Sequence, residues 1–446
     1  MHVTPSAPRW RSTLALAALA LGACAPAAAP PSGPAPAPPA VPVPPSAPPV
    51  APAPEAPEIR PVTGAPTVRV GLLVDTPQVR ISSSTGFEVS SGGATLGRGL
   101  AGETVTVSAS GGQLRVVGAT GSTVATGTGP LLFHPLDDGM VSIGGKPYRG
   151  DALVQATAAG RVTAVNVLDV ERYLLGVVPQ EIGRLGDTLI EAAKAQAVAA
   201  RTYAVKYMGR RASQGFDVFA TTEDQVYGGA GAEHPTVDRA VLETAGEIIA
   251  YNGQPIEAYY HSTCAGRTAA IDEVWNERPV PYLVSVSDID PATGEGYDQR
   301  SGRYRWTQRW TVQQITGILN RTLADSLPAG VSSIGTIRDM RVLERTPSGR
   351  IRALRIRTSN GDFTVGKDRI RWIFLTPAGV PLNSSKFDVQ LVRDAGQVTE
   401  VVATGGGWGH GIGMCQWGAM GRARAGQDYR TILGAYYPGT TIRDLY

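Results

Sequence analysis

The chain has 446 residues, 42% of them hydrophobic and 18% charged, which is enough for two or three domains or one large one. A formal net charge of only +3 gives no electrostatic basis for holding a polyanion, so no nucleic-acid partner is expected.

The first residues read as an export signal. Arg9 and Arg11 form a small positive region, and Leu14 to Leu21 is an apolar run too short to span a bilayer. It ends in Leu21-Gly22-Ala23-Cys24, which resembles a bacterial lipobox. That resemblance implies a lipoprotein-type signal peptide over 1–23, cleavage before Cys24, lipidation of its thiol, and a protein held at a membrane facing the cell wall or periplasm. Two cysteines then remain, Cys264 and Cys415. In an exported protein such a pair suggests one disulfide; a shared metal or two free thiols are the alternatives.

Residues 24–66 are a linker of almost only Pro, Ala, Val and Ser, which cannot bury a core and favours extended segments. From 67 to 147 the pattern is β-rich. Val68–Val74, Glu103–Val107 and Gln113–Val117 read as strands, and Gly111-Gly112 separates the last two. The region 148–446 mixes helices and strands. The fold class is therefore α+β: a β-rich N-terminal part followed by a mixed α/β catalytic core with a substrate cleft.

The strongest helix covers 187–208. Thr188 and Glu191 have capping-box spacing, the interior is Ala-rich, and Gly209 stops it. Lys194 and Arg201 are seven apart and share one face, and the small Ala side chains over most of the helix suit the floor of a cleft. Glu247–Tyr251 and Pro255–Tyr260 flank Asn252-Gly253 and predict a hairpin with a type I′ turn. Residues 336–375 are strand-rich. Six glycines fall within 405–413, a helix follows from Met414 to Ala425, and a last helix covers Tyr429 to Tyr436.

Three segments concentrate polar residues. In Tyr173–Glu181 a carboxylate follows an apolar run; apolar surroundings raise a carboxyl pKa and fit it for proton transfer. Spacing alone fits a solvated loop residue or a helix-dipole partner as well. His261–Thr268 is rich in small hydroxyl residues at a strand end, which suits a substrate-facing loop. No G-x-S-x-G elbow surrounds Ser262, so nucleophilic catalysis by it is not expected. Gly405–Ala419 is a glycine-rich turn without the Lys-Ser/Thr of a phosphate loop. Its Trp408 and Trp417 suit stacking on sugar rings or packing in a core.

Taken together, Tyr173–Glu181, Ala192–Tyr203, His261–Trp275, Gly407–Ala419 and Tyr429–Thr440 resemble, in order, the motifs of the stage II sporulation protein D (SpoIID/LytB) family. The resemblance covers roughly 68–446. It implies a lytic transglycosylase acting on peptidoglycan glycan strands, or alternatively a non-catalytic enhancer of a cell-wall amidase. It places the catalytic acid/base on Glu181 of the G-V-V-x-x-E motif. It implies substrate-binding roles for Lys194 and Arg201 of the helix, His261 and Ser262 of H-S-T, and His410 and Gln416 of the glycine-rich motif. Cys264 and Cys415 fall inside the last two motifs, so a disulfide between them would staple the cleft. Two residues are added between Glu181 and the helix relative to the family pattern. Some members bind zinc through a Cys and a His just before their Q-V-Y motif. Here Phe219 and Glu223 stand at those places, so neither metal nor cofactor is expected.

Overall fold

The computed structural model describes residues 62–327 and 331–446. The expected signal peptide, Cys24 and nearly all of the linker lie outside the described residues. No helix among the described residues is long and apolar enough to cross a membrane.

The architecture is α+β, built on two hydrophobic cores. The first starts from a seven-stranded sheet, in the order Val218–Phe219, Thr67–Thr76, Val162–Asp169, Asp151–Ala156, Leu131–Pro135, Phe87–Ser91 and Ala94–Gly99. A six-stranded sheet follows the order Lys146–Tyr148, Val141–Ile143, Gln78–Ser83, Thr104–Ser110, Gln113–Val117 and Thr123–Gly127. Alternation explains why these segments are strands. In Gln113–Val117 the apolar Leu114 and Val116 point inward, while Gln113 and Arg115 are exposed.

Val162–Asp169 is buried almost throughout and runs directly into helix α1, Val170–Glu181. Asp169 caps that helix by accepting from the Arg172 N–H at 3.0 Å. A 3₁₀ turn, Asp187–Leu189, then leads into α2, Ile190–Tyr207. The expected Thr188–Glu191 capping box is not formed: Leu189 is the N-cap and makes no side-chain cap. Glu191 instead accepts from the Tyr429 N–H at 2.9 Å. Helix α2 is buried from Ala192 to Ala204 except at Lys194, and its alanines let α1 and α3, Pro235–Glu243, pack close around it.

The predicted turn is present, with Asn252 and Gly253 both at positive φ, 50° and 77°, but the second strand is only Gln254–Pro255 and not Pro255–Tyr260; Tyr260 pairs elsewhere, with Met414. The first strand, Glu247–Tyr251, also pairs with the C-terminal strand Thr441–Asp444. A short helix, α4, covers Ile271–Val274.

A second core lies within residues 306–403, around Trp310, Leu319, Leu354, Phe374 and Val401. It comprises a sheet of Trp306–Thr311, Gln397–Gly405 and Phe387–Asp394, and a second of Ile337–Arg345, Ile351–Thr358 and Asp362–Gly366. Helices α5, Val312–Thr322, and α6, Arg369–Ile373, cover them. Strand Gln397–Gly405 then delivers the glycine-rich segment back to the first core, where α7, Gln416–Arg424, and α8, Tyr429–Tyr436, complete it.

Candidate functional site

Glu181 is the last residue of α1. The C-terminal end of a helix carries partial negative charge, and no basic residue in the last turn offsets it. Its carboxyl is mostly enclosed. Oε1 accepts from the Val226 N–H at 2.9 Å, and Oε2 from Gln416 Nε2 at 3.5 Å. Burial nevertheless prevails and raises the carboxyl pKa above its ordinary value, with the two hydrogen bonds opposing it. No Lys or Arg among the described residues pairs with it.

Close packing fixes this position. A Cβ at Gly176 would lie 2.5 Å from the Tyr227 ring, so only glycine lets α1 approach the Gln225-Val226-Tyr227 segment. Gln225 is fully buried and ties the surroundings together. Its Nε2 donates to the Ala200 carbonyl at 3.2 Å and to Tyr260 Oη at 2.9 Å, and its Oε1 accepts from Tyr173 Oη at 3.2 Å.

Gln416 opens α7 and reaches both Glu181 and, at 3.4 Å, Gln196 Oε1 of α2. Gln196 is a site residue that the sequence reading missed, because a glutamine in an Ala-rich helix reads as a helix former. Its Nε2 is buried without a protein partner.

The H-S-T and glycine-rich segments meet as expected. Tyr260–His261 pairs in parallel with Met414–Cys415, and Thr263 exchanges backbone hydrogen bonds with Trp408. Gly413 makes this possible: its φ is +70°, and a Cβ there would sit 2.0 Å from the Tyr259 carbonyl oxygen. His410 is partly buried. Its Nε2–H donates to the Tyr260 carbonyl at 3.0 Å, and its Nδ1 accepts from the Ile412 N–H at 3.0 Å. Burial pushes this imidazole down to about 4, so it is neutral at pH 7. With both nitrogens held by backbone, His410 positions and packs rather than supplying charge. Its ring lies 5.3 Å from that of Trp275 and 6.3 Å from that of Tyr259. Ser262 is partly exposed, its hydroxyl 3.2 Å from that of Thr263. Trp408 is 48% exposed, with the Arg303 guanidinium 5.3 Å from its ring centre, whereas Trp417 packs against the first core.

Several expected site residues lie elsewhere. Arg201 is 0% exposed and makes two hydrogen bonds, at 2.7 and 2.6 Å, to the buried Glu171 of α1. It also donates to the Val241 and Glu247 carbonyls. It is a core ion pair and not a substrate ligand. Lys194 is two residues before Gln196 and so leaves α2 from nearly the opposite side. There it pairs with Glu191 at 3.1 Å and Glu243 at 2.8 Å. His261 is 4% exposed, with Nδ1–H donating to the Ile412 carbonyl at 3.2 Å, so it faces the interior and not a substrate. Cys264 and Cys415 are adjacent but unbonded thiols. Each has its own partners: Cys264 Sγ donates to Asp288, and Cys415 Sγ accepts from the Cys264 and Gly418 N–H groups.

Phe219 offers no metal-ligating atom at the place where some members of the resembled family hold zinc. Phe219 packs on Phe216, with the Arg211 guanidinium 4.3 Å from its ring, and Glu223 is exposed. The neighbouring Asp224 is occupied by Arg211 at 3.0 Å and by the Phe219 N–H at 2.8 Å.

Residues 158–251 match the family model described as stage II sporulation protein, and residues 269–413 match a domain of unknown function, DUF8618. The chain is 37% identical to an uncharacterized protein of Brachyspira hyodysenteriae, over 71% of this chain and 72% of that one. It is 31% identical to stage II sporulation protein D of Bacillus subtilis, over 63% of this chain and 76% of that protein. It is also 32% identical to the amidase enhancer of Bacillus subtilis, over 60% of this chain but only 40% of the enhancer.

Proposed function

The chain belongs to the stage II sporulation protein D family and has a role at the cell wall, and from that premise we propose that it is a lytic transglycosylase of peptidoglycan with Glu181 as its acid/base. The observation that carries this reading is the state of Glu181. It is a partly accessible carboxyl without a cationic partner, raised in pKa by burial, at the negative end of a helix and joined to the glycine-rich segment through Gln416. A structural carboxylate is normally stabilised as the anion; this one is held towards its neutral form.

In the proposed reaction the protonated Glu181 donates its hydrogen to the glycosidic oxygen as the bond from C1 of N-acetylmuramic acid breaks. The ionised carboxylate then takes the proton of the C6 hydroxyl of the same sugar. That oxygen bonds to C1, leaving a 1,6-anhydro end and restoring the acid. Water is not consumed, so no second catalytic carboxylate is needed, unlike a hydrolytic glycosidase. Gln416 and Gln196 are amides, able to hydrogen-bond the carboxyl in either protonation state, which suits a group that cycles between them. Ser262, the face of His410 and the exposed Trp408 are the proposed sugar contacts. Export, lipidation at Cys24 and tethering to a membrane by the Pro-rich linker complete the proposal.

The rival reading comes from the similarity to the amidase enhancer: a partner of a cell-wall amidase that binds the wall without cutting it. Peptide-free glycan strands distinguish the two. Wild-type protein is expected to release anhydro-muramyl ends detectable by mass spectrometry, and Glu181→Gln none. If neither protein makes product but both increase the rate of an added amidase, the enhancer reading replaces this one.

A further inference from the structure

Behind the H-S-T and glycine-rich segments lies a buried group of soft and acidic ligands that the proposed chemistry does not use. The Cys264 and Cys415 sulfurs belong to two overlapping sets, one with His261 and one with Asp288 and Asp298. Within each set the ligand atoms lie within 4.8 Å of one another. All five residues are buried.

Three details separate this group from ordinary core polarity. First, His261 Nδ1 faces a carbonyl oxygen, which can only accept, so that nitrogen carries the hydrogen. Nε2 therefore bears a lone pair, and it is buried with no protein partner. A histidine whose far nitrogen is fixed by a backbone carbonyl is the usual arrangement of a metal ligand. Second, Cys415 Sγ accepts from two backbone N–H groups, Cys264 at 3.2 Å and Gly418 at 3.3 Å, the latter in the first turn of α7. Both N–H groups would still bond this sulfur as a thiolate, although burial pushes the free thiol up to about 11. Third, Asp298 is fully buried. It accepts from the Cys264, Ala265 and Gly266 N–H groups and has no ion-pair partner among the described residues, whereas Asp288 is paired with Arg422 at 3.0 Å.

We propose that Cys264, Cys415 and His261, with the Asp298 carboxylate beside the two sulfurs, bind one zinc-type divalent cation that clamps the H-S-T segment to the glycine-rich segment. Two thiolates and one imidazole suit such an ion and leave its fourth position open. Binding releases the two thiol protons as the cation enters, so two positive charges replace two and the buried net charge does not change. The site is separate from the Phe219–Glu223 region, and it does not depend on Glu181.

The test is elemental analysis and cobalt spectroscopy of the full chain, purified under reducing conditions. One zinc per chain is expected to survive dialysis. Replacement by cobalt should give tetrahedral visible bands and a sulfur-to-metal band in the near ultraviolet. Cys415→Ser should lose the near-ultraviolet intensity from one thiolate and release its metal to a chelator at least tenfold faster, while Cys24→Ser should match wild type. Two thiols that titrate freely with no metal bound would overturn the proposal, and so would a Cys264–Cys415 disulfide found on peptide mapping. Metal retained equally by wild type and Cys415→Ser would mean an adventitious ion and would overturn it too. If Cys415→Ser fails to fold, the wild-type cobalt spectrum decides: bands without sulfur character contradict the site.

Discussion

Replacing Arg201 by Met separates a structural from a functional reading of the Ala-rich helix. The guanidinium holds Glu171 through two short bonds, with both side chains essentially inaccessible, and satisfies two carbonyls besides. Methionine has similar length and good helix propensity, so the perturbation is mainly electrostatic. It leaves Glu171 as a buried anion supported by the Gly246 N–H and Tyr446 hydroxyl. Removing one partner of such a pair costs about 3–5 kcal/mol, a large part of the roughly 5–15 kcal/mol that holds a typical domain together. Arg201→Lys should recover only part of this, since an ammonium cannot make the two-pronged contact. Replacing both residues by apolar ones should recover most of it. Urea unfolding at neutral pH measures each variant. Unchanged stability in Arg201→Met, together with weakened binding to glycan strands, would refute the reasoning and return Arg201 to the substrate.

Gly413→Ala should disrupt the pairing of Tyr260–His261 with Met414–Cys415, because the new methyl meets the Tyr259 carbonyl and φ is positive. Left-handed backbone costs about 1–2 kcal/mol and the overlap a further 1–3 kcal/mol or so, read as a lowered unfolding midpoint and lost activity. Glu181 also makes a pH prediction. Its folded pKa lies above the unfolded one, so the native state binds the proton more tightly, and stability falls as pH rises from the unfolded value through the folded one. Glu181→Gln should therefore be more stable than wild type at neutral pH while inactive, and its stability should lose that slope. The activity of the wild type should fall along a single ionisation as pH rises through the same raised value, because the acid form starts the reaction.

Much of the fold is legible in local chemistry. The Asn252-Gly253 turn is read from residues that tolerate positive φ, and α8 falls on Tyr429–Tyr436 as predicted. Helix α1 is not legible: Tyr173–Glu181 reads only as an apolar run ending in a carboxylate, yet it is helical with Pro179 inside, and Glu181 ends it. The spacing of Lys194 and Arg201 correctly puts them on one helix face, but spacing does not say what lies opposite. Glu171, thirty residues away in sequence, makes that face a core ion pair at Arg201. His261 shows the same limit, since a histidine at a strand end reads alike whether it faces a substrate or the buried thiols. The two segments that meet at Cys264 and Cys415 are recognisable as motifs, whereas Asp288 and Asp298 join them only through the fold.

The central claim is that one carboxyl passes a proton between two oxygens of the same saccharide without consuming water. Digestion of glycan strands in heavy-oxygen water tests it most directly, with the new ends weighed by mass spectrometry. Wild-type protein should yield ends lighter by one water than reducing ends and free of solvent oxygen, and Glu181→Gln should yield none. Reducing ends carrying the heavy isotope, or the same products from both proteins, would contradict it.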